Sequence, residues 1–324
     1  MRYVDVDGLR LSVIGLGTWQ FGSREWGYGE TYASETAPAI LRRAIELGVT
    51  LVDTAEVYGF GRSERIVGGT LDGQRNGLVV ATKLMPLMPY PRIVEWQARG
   101  SARRLGVDAI DLYQVHWPNP FVSARSTMQP LRRLLADGLV RHVGVSNHDL
   151  ARWQASERAL RHPVISNQVR FSLASPAPAR ELVPYAHEEG RVVIAYSPLG
   201  QGLLAHADVA DAGSSSEGRS SGRGRSSGRP PGIRRMNPLF RARVRPDVAP
   251  LLQLVREIAD AHGATPSQVA LAWVIGHGRT VAIPGARTVE QLEQNVAAAD
   301  LELDPAERER LTLEAERLQA RLGH

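Results

Sequence analysis

Four side chains that could take part in proton transfer lie at or just after the ends of three apolar segments. Asp53 closes the segment 50–53, Tyr58 follows it by five positions, Lys83 ends the segment 78–83, and His116 ends the segment 110–116. Lys83 is also the only lysine among the 39 lysine and arginine residues of this 324-residue chain. A chain that uses arginine everywhere else is expected to keep a lysine where a compact ammonium is needed and a guanidinium cannot replace it.

These residue types together suit one kind of proton transfer. A tyrosine has a pKa near 10 and is a poor proton donor by itself. A nearby ammonium favours the phenolate and lowers that pKa, while a carboxylate keeps the ammonium charged and oriented. An imidazole can position a carbonyl oxygen or relay a proton. We therefore interpret Asp53, Tyr58, Lys83 and His116 as a general acid for an oxygen that gains negative charge, as when hydride reaches a carbonyl carbon. Taken singly, each also has a structural interpretation, such as a helix cap or a buried histidine.

The elements that would position these residues recur along the chain. Eight segments are rich in Val and Ile without clean alternation, which is typical of strands buried on both faces. They are 12–16, 50–53, 78–83, 110–116, 141–145, 164–168, 192–196 and 280–283. Segments of helical period separate them, at 37–47, 64–71, 92–105, 128–137, 150–160, 179–189, 247–261 and 266–275.

This alternation predicts a (β/α)8 TIM barrel formed as a single domain by residues 1–324. Residues 2–13 alternate around Asp7 and Gly8, which predicts an N-terminal β-hairpin. The charged segment 305–321 predicts a C-terminal helix on the barrel exterior or rim. A doubly wound sheet is the alternative, but its G-x-G-x-x-G signature fails because Gln20 occupies the third glycine position.

Composition limits the class of protein. Hydrophobic residues make up 43% of the chain and charged residues 23%, as in globular proteins. The absence of cysteine excludes disulfides, thiolate catalysis and Cys-ligated metal. No run approaches the roughly 18 apolar residues of a membrane span, and the N-terminus lacks the pattern of a signal peptide. We expect no membrane association, and a cytoplasmic location is the default.

The basic charge is local. The net charge is +5, but arginines concentrate in residues 217–245, so the remainder is net negative and nucleic acid is not expected as the main ligand. Residues 211–232 are a low-complexity Ser/Gly/Arg segment, which predicts a long disordered surface loop after the seventh strand. An arginine-rich arm that binds phosphate or nucleic acid is the alternative interpretation.

Longer motifs around the four residues resemble those of the aldo-keto reductase family. DTAEVYGFGRSERIVG (53–68) is similar to the family's Asp…Tyr-Gly-x-Gly-x-Ser-Glu motif, ATKL contains its lysine and DLYQVHWP (111–118) its histidine. RHVGVSN, SNQVRFS, YSPLGQGLL and VAIPGART resemble its cofactor-binding segments. The resemblance runs in register from residue 13 to residue 303 and departs in the Ser/Gly/Arg segment, which leaves the identity of the substrate open.

The resemblance implies an NADPH-dependent carbonyl reductase that needs no metal, with NADH as the alternative cofactor. It makes Tyr58 the general acid, with Lys83 and Asp53 tuning it and His116 orienting the carbonyl. It assigns the nicotinamide to Ser146, Asn147, Gln168 and Tyr196, the pyrophosphate to Ser197, Pro198, Leu199 and Gly202, and the adenosine phosphate end to Gly285, Ala286, Arg287, Gln291 and Asn295. Arg287 would contact a ribose 2′-phosphate, because its fork matches phosphate geometry.

Aromatic residues near the strand ends are the candidates for contact with a small carbonyl substrate. They are Trp19, Trp26, Tyr28, Trp117 and Phe121. The sequence contains no HExxH pair, which would predict a metal site, and no G-x-S-x-G elbow, which would predict a nucleophilic serine. A second function stays open: a redox-sensing partner subunit that binds the cofactor with little turnover.

Overall fold

The computed structural model describes residues 1–22, 31–73, 75, 77–86, 88, 90–205 and 244–322. The chain begins with the predicted hairpin, in which β1 (Tyr3–Val6) pairs antiparallel with β2 (Leu9–Ser12). The turn between them has Asp7 at φ 47° and Gly8 at φ 81°. Two consecutive positive φ values are those of a type I′ turn, which matches the twist of a hairpin.

Eight parallel strands follow in sequential order and confirm the predicted (β/α)8 barrel. They are β3 (Leu16–Gly17), β4 (Leu51–Asp53), β5 (Val79–Leu84), β6 (Ile110–Val115), β7 (Val140–Ser146), β8 (Val164–Arg170), β9 (Val192–Tyr196) and β10 (Thr280–Ala282). A parallel bridge between Ile14 and Ala282 brings the first strand segment against β10 and closes the ring.

The first barrel strand lies later than predicted. Ser12 still belongs to the hairpin, where it pairs with Tyr3, and the regular strand β3 begins only at Leu16. The chain between them passes from the hairpin to the barrel wall. Gly15 N donates to Ala282 O at 2.8 Å there, so this segment pairs with the last strand rather than with a neighbour in sequence.

The described helices connect the strands, and most of them cover the outside of the barrel. They are α1 (Trp19–Gly22), α2 (Ala37–Glu46), α3 (Arg62–Leu71), α4 (Pro91–Leu105), α5 (Ala124–Ala136), α6 (Leu150–Leu160), α7 (Pro178–Glu188), α8 (Arg245–Ala261), α9 (Pro266–Ile275), α10 (Val289–Ala297) and α11 (Pro305–Leu322). A π-helical segment, Tyr32–Thr36, precedes α2, and 3₁₀ turns lie at Gly200–Ala205 and Ala298–Asp300. None of the described helices is both long and apolar enough to cross a bilayer.

One helix begins clearly earlier than predicted. The segment 128–137 predicted only the second part of α5, which starts at Ala124. Ser123 explains the start, because its side chain accepts a hydrogen bond from Ser126 N and so satisfies an otherwise unpaired amide of the first turn. The segment 211–232, predicted to be a disordered loop, lies outside the described residues.

The hairpin and the barrel share an inner core, while α11 lies outside. Val6 and Leu11 of the hairpin pack with apolar side chains that fill the barrel, among them Leu51 and Leu112. The hairpin therefore closes the N-terminal end of the barrel. At the exterior, Trp273 Nε1 donates to Thr312 Oγ1 of α11 at 3.0 Å, as expected for a C-terminal helix packed against the outer layer.

Candidate active site

The carboxyl ends of the barrel strands bring the predicted catalytic side chains together. Asp53 ends β4, Lys83 is the penultimate residue of β5, and His116 directly follows β6. Tyr58 lies on the loop between β4 and α3. Because parallel strands of a barrel end at the same face, these residues share one mouth.

Lys83 is the centre of the cluster. Its side chain is 0% exposed, and its Nζ donates to Asp53 Oδ1 at 2.5 Å, to Thr54 O at 2.8 Å and to Tyr58 Oη at 3.2 Å. An ammonium has three N–H donors, so all of them are used. Any movement of the lysine would therefore break at least one of these bonds.

Asp53 is held through its second oxygen by two buried amides. Gln168 Nε2 donates to Asp53 Oδ2 at 2.7 Å, and Gln114 Nε2 lies 3.3 Å from the same oxygen. The family resemblance assigned Gln168 to the cofactor, and the sequence analysis did not single out Gln114. The only available signal was its place in DLYQVHWP, two residues before His116. Both oxygens of the carboxylate are thus fixed in direction.

The protonation of Lys83 and Tyr58 follows from burial and their neighbours. Burial alone would lower the pKa of Lys83, but the Asp53 carboxylate and the Tyr58 oxygen outweigh it, and that pKa is raised. Burial raises the pKa of Tyr58, and the nearby ammonium offsets only part of the rise. Lys83 lowers the pKa of Tyr58, as predicted, but burial outweighs it, so the net shift of that pKa is upward rather than the expected downward one. Tyr58 holds its proton at neutral pH.

His116 presents a neutral imidazole to the mouth. Its ring stacks on Trp117 at a centroid distance of 3.7 Å and meets the Tyr58 ring edge-on at 5.9 Å. Burial and the Lys83 charge lower the pKa of His116 to about 2. Its Nδ1 is buried and has no hydrogen-bond partner among the described residues.

Some of the predicted substrate residues line the same opening. The Trp19 and Tyr58 ring centroids lie 6.3 Å apart, and Trp117 reaches the site through its stack on His116. Phe121 is 94% exposed and lies on the loop after β6, where the structure shows no ring contact with the cluster. Trp26 and Tyr28 lie outside the described residues.

The residues assigned to the nicotinamide join the cluster on its other side. Tyr196 Oη donates to Asn147 Oδ1 at 2.9 Å, and Asn147 Nδ2 donates to His116 O at 3.1 Å. Ser146 Oγ donates to Gln168 O at 2.7 Å. These side chains hold one another in place, and the Tyr196 ring is half-buried, so it remains accessible beside the catalytic groups.

The segment Ser197–Gly202, which includes Pro198 and Leu199, has an unusual backbone. Ser197, Gly200, Gln201 and Gly202 have φ values of 49°, 58°, 60° and 94°. Left-handed backbone is accessible to glycine at no steric cost, and the missing side chain lets a ligand approach the main chain. This turn follows the C-terminal end of β9 and therefore lies at the mouth.

The residues after β10 form a loop that leads into α10 and is fixed by side-chain hydrogen bonds. Arg287 N donates to Gln291 Oε1 at 2.9 Å, and Asn295 Nδ2 donates to Gly285 O at 3.4 Å. Gln291 and Asn295 thus support the loop from 285 to 287, in which Ala286 is buried. The Arg287 side chain is half-buried, and no acidic side chain of the described residues pairs with it. Among the described residues it is therefore a cationic group without an acidic partner, beside a helix N-terminus.

Comparison with known proteins agrees with this arrangement. The model of the aldo/keto reductase family matches residues 13–313. An uncharacterised oxidoreductase of Mycobacterium tuberculosis is 51% identical over 313 residues, which cover 96% of this chain and 92% of the relative. Methylglyoxal reductase YeaE of Escherichia coli is 33% identical over 301 residues, covering 92% and 88%.

A solved structure extends the likeness to three dimensions. The aldo/keto reductase from Klebsiella pneumoniae, crystallised with NADP and acetate, matches with a TM-score of 0.73 and 29% identity over 95% of this chain and 93% of that one. Family model, relatives and fold agree over nearly the whole chain, and the prediction of an oxidoreductase is confirmed. The chain belongs to the aldo/keto reductase family.

Proposed function

We propose that this protein reduces the carbonyl group of small aldehydes or ketones to an alcohol with NADPH, using Tyr58 as the general acid. One observation carries the proposal: Lys83 Nζ contacts both Asp53 and Tyr58 inside a buried cluster that opens beside His116. Carbonyl reduction is the general activity of the family to which the chain belongs.

The residues at the mouth fit an NADP cofactor. The Klebsiella relative was crystallised with NADP. Here the accessible Tyr196 ring offers a flat surface for a nicotinamide, and the left-handed turn at Gly200–Ala205 offers main chain to a pyrophosphate. Arg287, which pairs with no acidic side chain in the part of the chain that the structure describes, offers a guanidinium to a 2′-phosphate. When bound, NADPH supplies the hydride. The same residues would accept NADH with weaker binding, because Arg287 would lack its phosphate partner.

The protein's own residues would then handle the oxygen of the substrate. His116, neutral through the physiological pH range, would orient the carbonyl oxygen toward Tyr58 Oη. As negative charge grows on that oxygen, Tyr58 would give up its proton, and the Lys83 ammonium would stabilise the phenolate left behind. Asp53 would keep Lys83 charged and in place. The raised pKa of Tyr58 suits this order, since the proton remains on the phenol until an alkoxide, a far stronger base, forms.

The walls of the opening favour small carbonyl compounds with an apolar side. Trp19 and Trp117 flank Tyr58 and His116 with flat apolar surfaces. The Escherichia coli relative is named a methylglyoxal reductase, and methylglyoxal is a small aldehyde. A panel of small aldehydes and ketones is therefore the appropriate first screen.

Tyr58→Phe tests the proposed acid. We expect kcat for a nitrobenzaldehyde to fall by about a thousandfold, because general acid catalysis typically contributes between about 10²- and 10⁴-fold. NADPH affinity, followed by quenching of protein fluorescence, should stay within about twofold of the parent's, since the phenol oxygen is assigned to the substrate. Full activity in Tyr58→Phe would refute the assignment.

The same experiment separates the enzyme from a redox-sensing partner subunit. A sensor would bind NADPH tightly but show no turnover across the carbonyl panel, in the parent protein as well as in Tyr58→Phe. The intact contact between Lys83 and Tyr58 favours the enzyme, because a protein that only binds a cofactor has no need of a proton donor.

Arg287→Ala tests the cofactor assignment. Loss of the guanidinium should weaken NADPH by about ten- to a hundredfold and leave NADH nearly unchanged, because only NADPH carries the 2′-phosphate. Isothermal titration with both cofactors measures the two dissociation constants. An equal loss for both would move the phosphate site away from Arg287.

A further inference from the structure

Three buried hydroxyls lie behind the catalytic cluster and have no role in the mechanism above. Thr18, Thr54 and Ser63 are each 0% exposed. Ser63 Oγ is their centre: it lies 2.8 Å from Thr18 Oγ1, accepts from Thr54 Oγ1 at 3.0 Å and donates to Thr18 O at 2.9 Å. We call these three residues the hydroxyl cluster.

Each member of the hydroxyl cluster is attached to a different catalytic residue. Thr18 Oγ1 donates to Asp53 O at 2.9 Å, and Thr54 O accepts from Lys83 Nζ at 2.8 Å. Ser63 N donates to Tyr58 O at 3.2 Å. The cluster therefore connects the three residues that deliver the proton, although none of its hydroxyls reaches the mouth.

The three hydroxyls can satisfy one another and two main-chain oxygens. In one arrangement their three protons go from Thr54 to Ser63, from Ser63 to Thr18 O and from Thr18 to Asp53 O. Either hydroxyl can donate in the Thr18–Ser63 contact. Removing the Ser63 oxygen would leave the Thr54 hydroxyl without its acceptor and Thr18 O without that donor. In a buried site both losses favour rearrangement.

Close packing turns such a rearrangement into movement of Tyr58. A Cβ added to Gly22 would lie 2.8 Å from Ser63 N and 2.9 Å from Tyr58 O, so the main chain of α1 lies directly against the loop that carries the phenol. Ser63 N, which donates to Tyr58 O, lies at the same contact. The Tyr58 Oη–Lys83 Nζ distance of 3.2 Å is at the long end for a hydrogen bond, so a shift of a few tenths of an ångström would weaken it markedly.

We propose that Ser63 is a positioning residue for carbonyl reduction, which through the hydroxyl cluster holds Tyr58 Oη within hydrogen-bonding distance of Lys83 Nζ. This inference rests on the proposed function of Tyr58. Ser63 itself touches neither substrate nor cofactor and acts only through Thr18, Thr54 and the Tyr58 main chain.

Ser63→Ala is the direct test, with Ser156→Ala as its matched control. Ser156 is also a buried serine, 2% exposed, but it lies on α6, where its hydroxyl donates to Arg152 O. We expect kcat to fall about ten- to a hundredfold in Ser63→Ala, while KM for the carbonyl and the NADPH dissociation constant stay within about twofold. Ser156→Ala should keep the parent kcat.

The single lysine of the chain provides a readout that does not depend on activity. Labelling with ¹³Cε,¹⁵Nζ-lysine gives one lysine side-chain NMR signal, which belongs to Lys83. Tyr58→Phe shows how that signal moves when the phenol contact is lost. Ser63→Ala should move it in the same direction, and Ser156→Ala should leave it in place.

Thr54→Val and Thr54→Ser repeat the test at Thr54, the donor of the hydrogen bond to Ser63 Oγ. Valine removes the hydroxyl that donates to Ser63 while keeping the shape and the main-chain oxygen that binds Lys83; serine keeps the hydroxyl. Thr54→Val should reproduce both effects of Ser63→Ala, and Thr54→Ser should recover most of each. Should Ser63→Ala fail to fold, this pair decides by the same two readouts.

The outcomes are distinct. A folded Ser63→Ala protein with the parent kcat, or with an unmoved lysine signal, overturns the proposal. Full activity of Tyr58→Phe would instead overturn the proposed function, and the lysine signal would still decide whether Ser63 holds Lys83 and Tyr58 together.

Discussion

The barrel interior has two halves that differ in chemistry although the same strands build both. In β4, Leu51 lies in the apolar inner core, and Asp53, two residues further, carries a buried carboxylate. In β6, Leu112 lies in that core and Gln114 reaches the carboxylate. Along a strand, residues two apart face the same side, so one step of the pleat separates the two halves.

The two halves contribute to the stability of the fold with opposite signs. The apolar half contributes by burying area, at about 25 cal/mol per Å². Removing the charges of Lys83 and Asp53 from water costs several kcal/mol for each ion, which their contact and hydrogen bonds must offset. The apolar half therefore stabilises the fold that holds the charged half in place. The arrangement of the charged half is explained by the chemistry it would perform.

Breaking the charged half should have the largest effect. Lys83→Met leaves Asp53 buried without its counter-ion, and we expect the free energy of unfolding in urea to fall by about 3–5 kcal/mol. The double variant Asp53→Asn/Lys83→Met removes both charges and should recover much of that stability, but not turnover. Equal stability of the single variant and the parent would contradict the contrast between the halves.

Weakening the apolar half should cost somewhat less and spare the chemistry. Leu112→Ala empties part of the inner core, and we expect a loss of about 3 kcal/mol in the free energy of unfolding, since Leu→Ala changes in cores cost about 2–5 kcal/mol. The kcat of the folded protein should stay within about twofold of the parent's. A large loss of kcat at unchanged stability would mean that the halves are not separable in this way.

The smallest effect concerns pH and His116. Its pKa is lowered to about 2 in the folded protein, against about 6.5 for the unfolded chain. The unfolded chain therefore binds a proton that the folded protein does not, and stability present above pH 6.5 is lost as pH falls toward 2, by about 1.4 kcal/mol per pH unit.

Between pH 6.5 and pH 5.5, the free energy of unfolding of His116→Gln should fall by about 1 kcal/mol less than that of the parent. Urea denaturation at each pH measures both values. Burial also lowers the pKa of His148 and His277, but both are present in parent and variant and cancel in the difference. Identical pH dependence of the two proteins would show that His116 is not buried as neutral imidazole.

The strands and the catalytic positions could be predicted because their signals are local. Apolar segments without alternation predicted the eight barrel strands, and Asp7-Gly8 predicted the hairpin turn. The four predicted catalytic residues were found at one mouth because a parallel barrel places the ends of its strands there. Their assigned roles remain predictions.

The pKa of Tyr58 and the hydroxyl cluster could not be predicted in the same way. The raised pKa depends on how far neighbouring elements bury the half-buried Tyr58, which no property of the residues near it in sequence reports. Thr18 and Ser63 are 45 positions apart. Nothing in a single sequence marks two common hydroxyl residues as partners at that separation.

The hairpin at the N-terminal end of the barrel determines the route by which ligands enter and leave. Because the apolar side chains of Val6 and Leu11 close one end of the barrel, reactants and product must pass through the opening at the other end. If the proposed NADPH lies across that opening, we expect it to bind before the carbonyl compound and to leave after the alcohol.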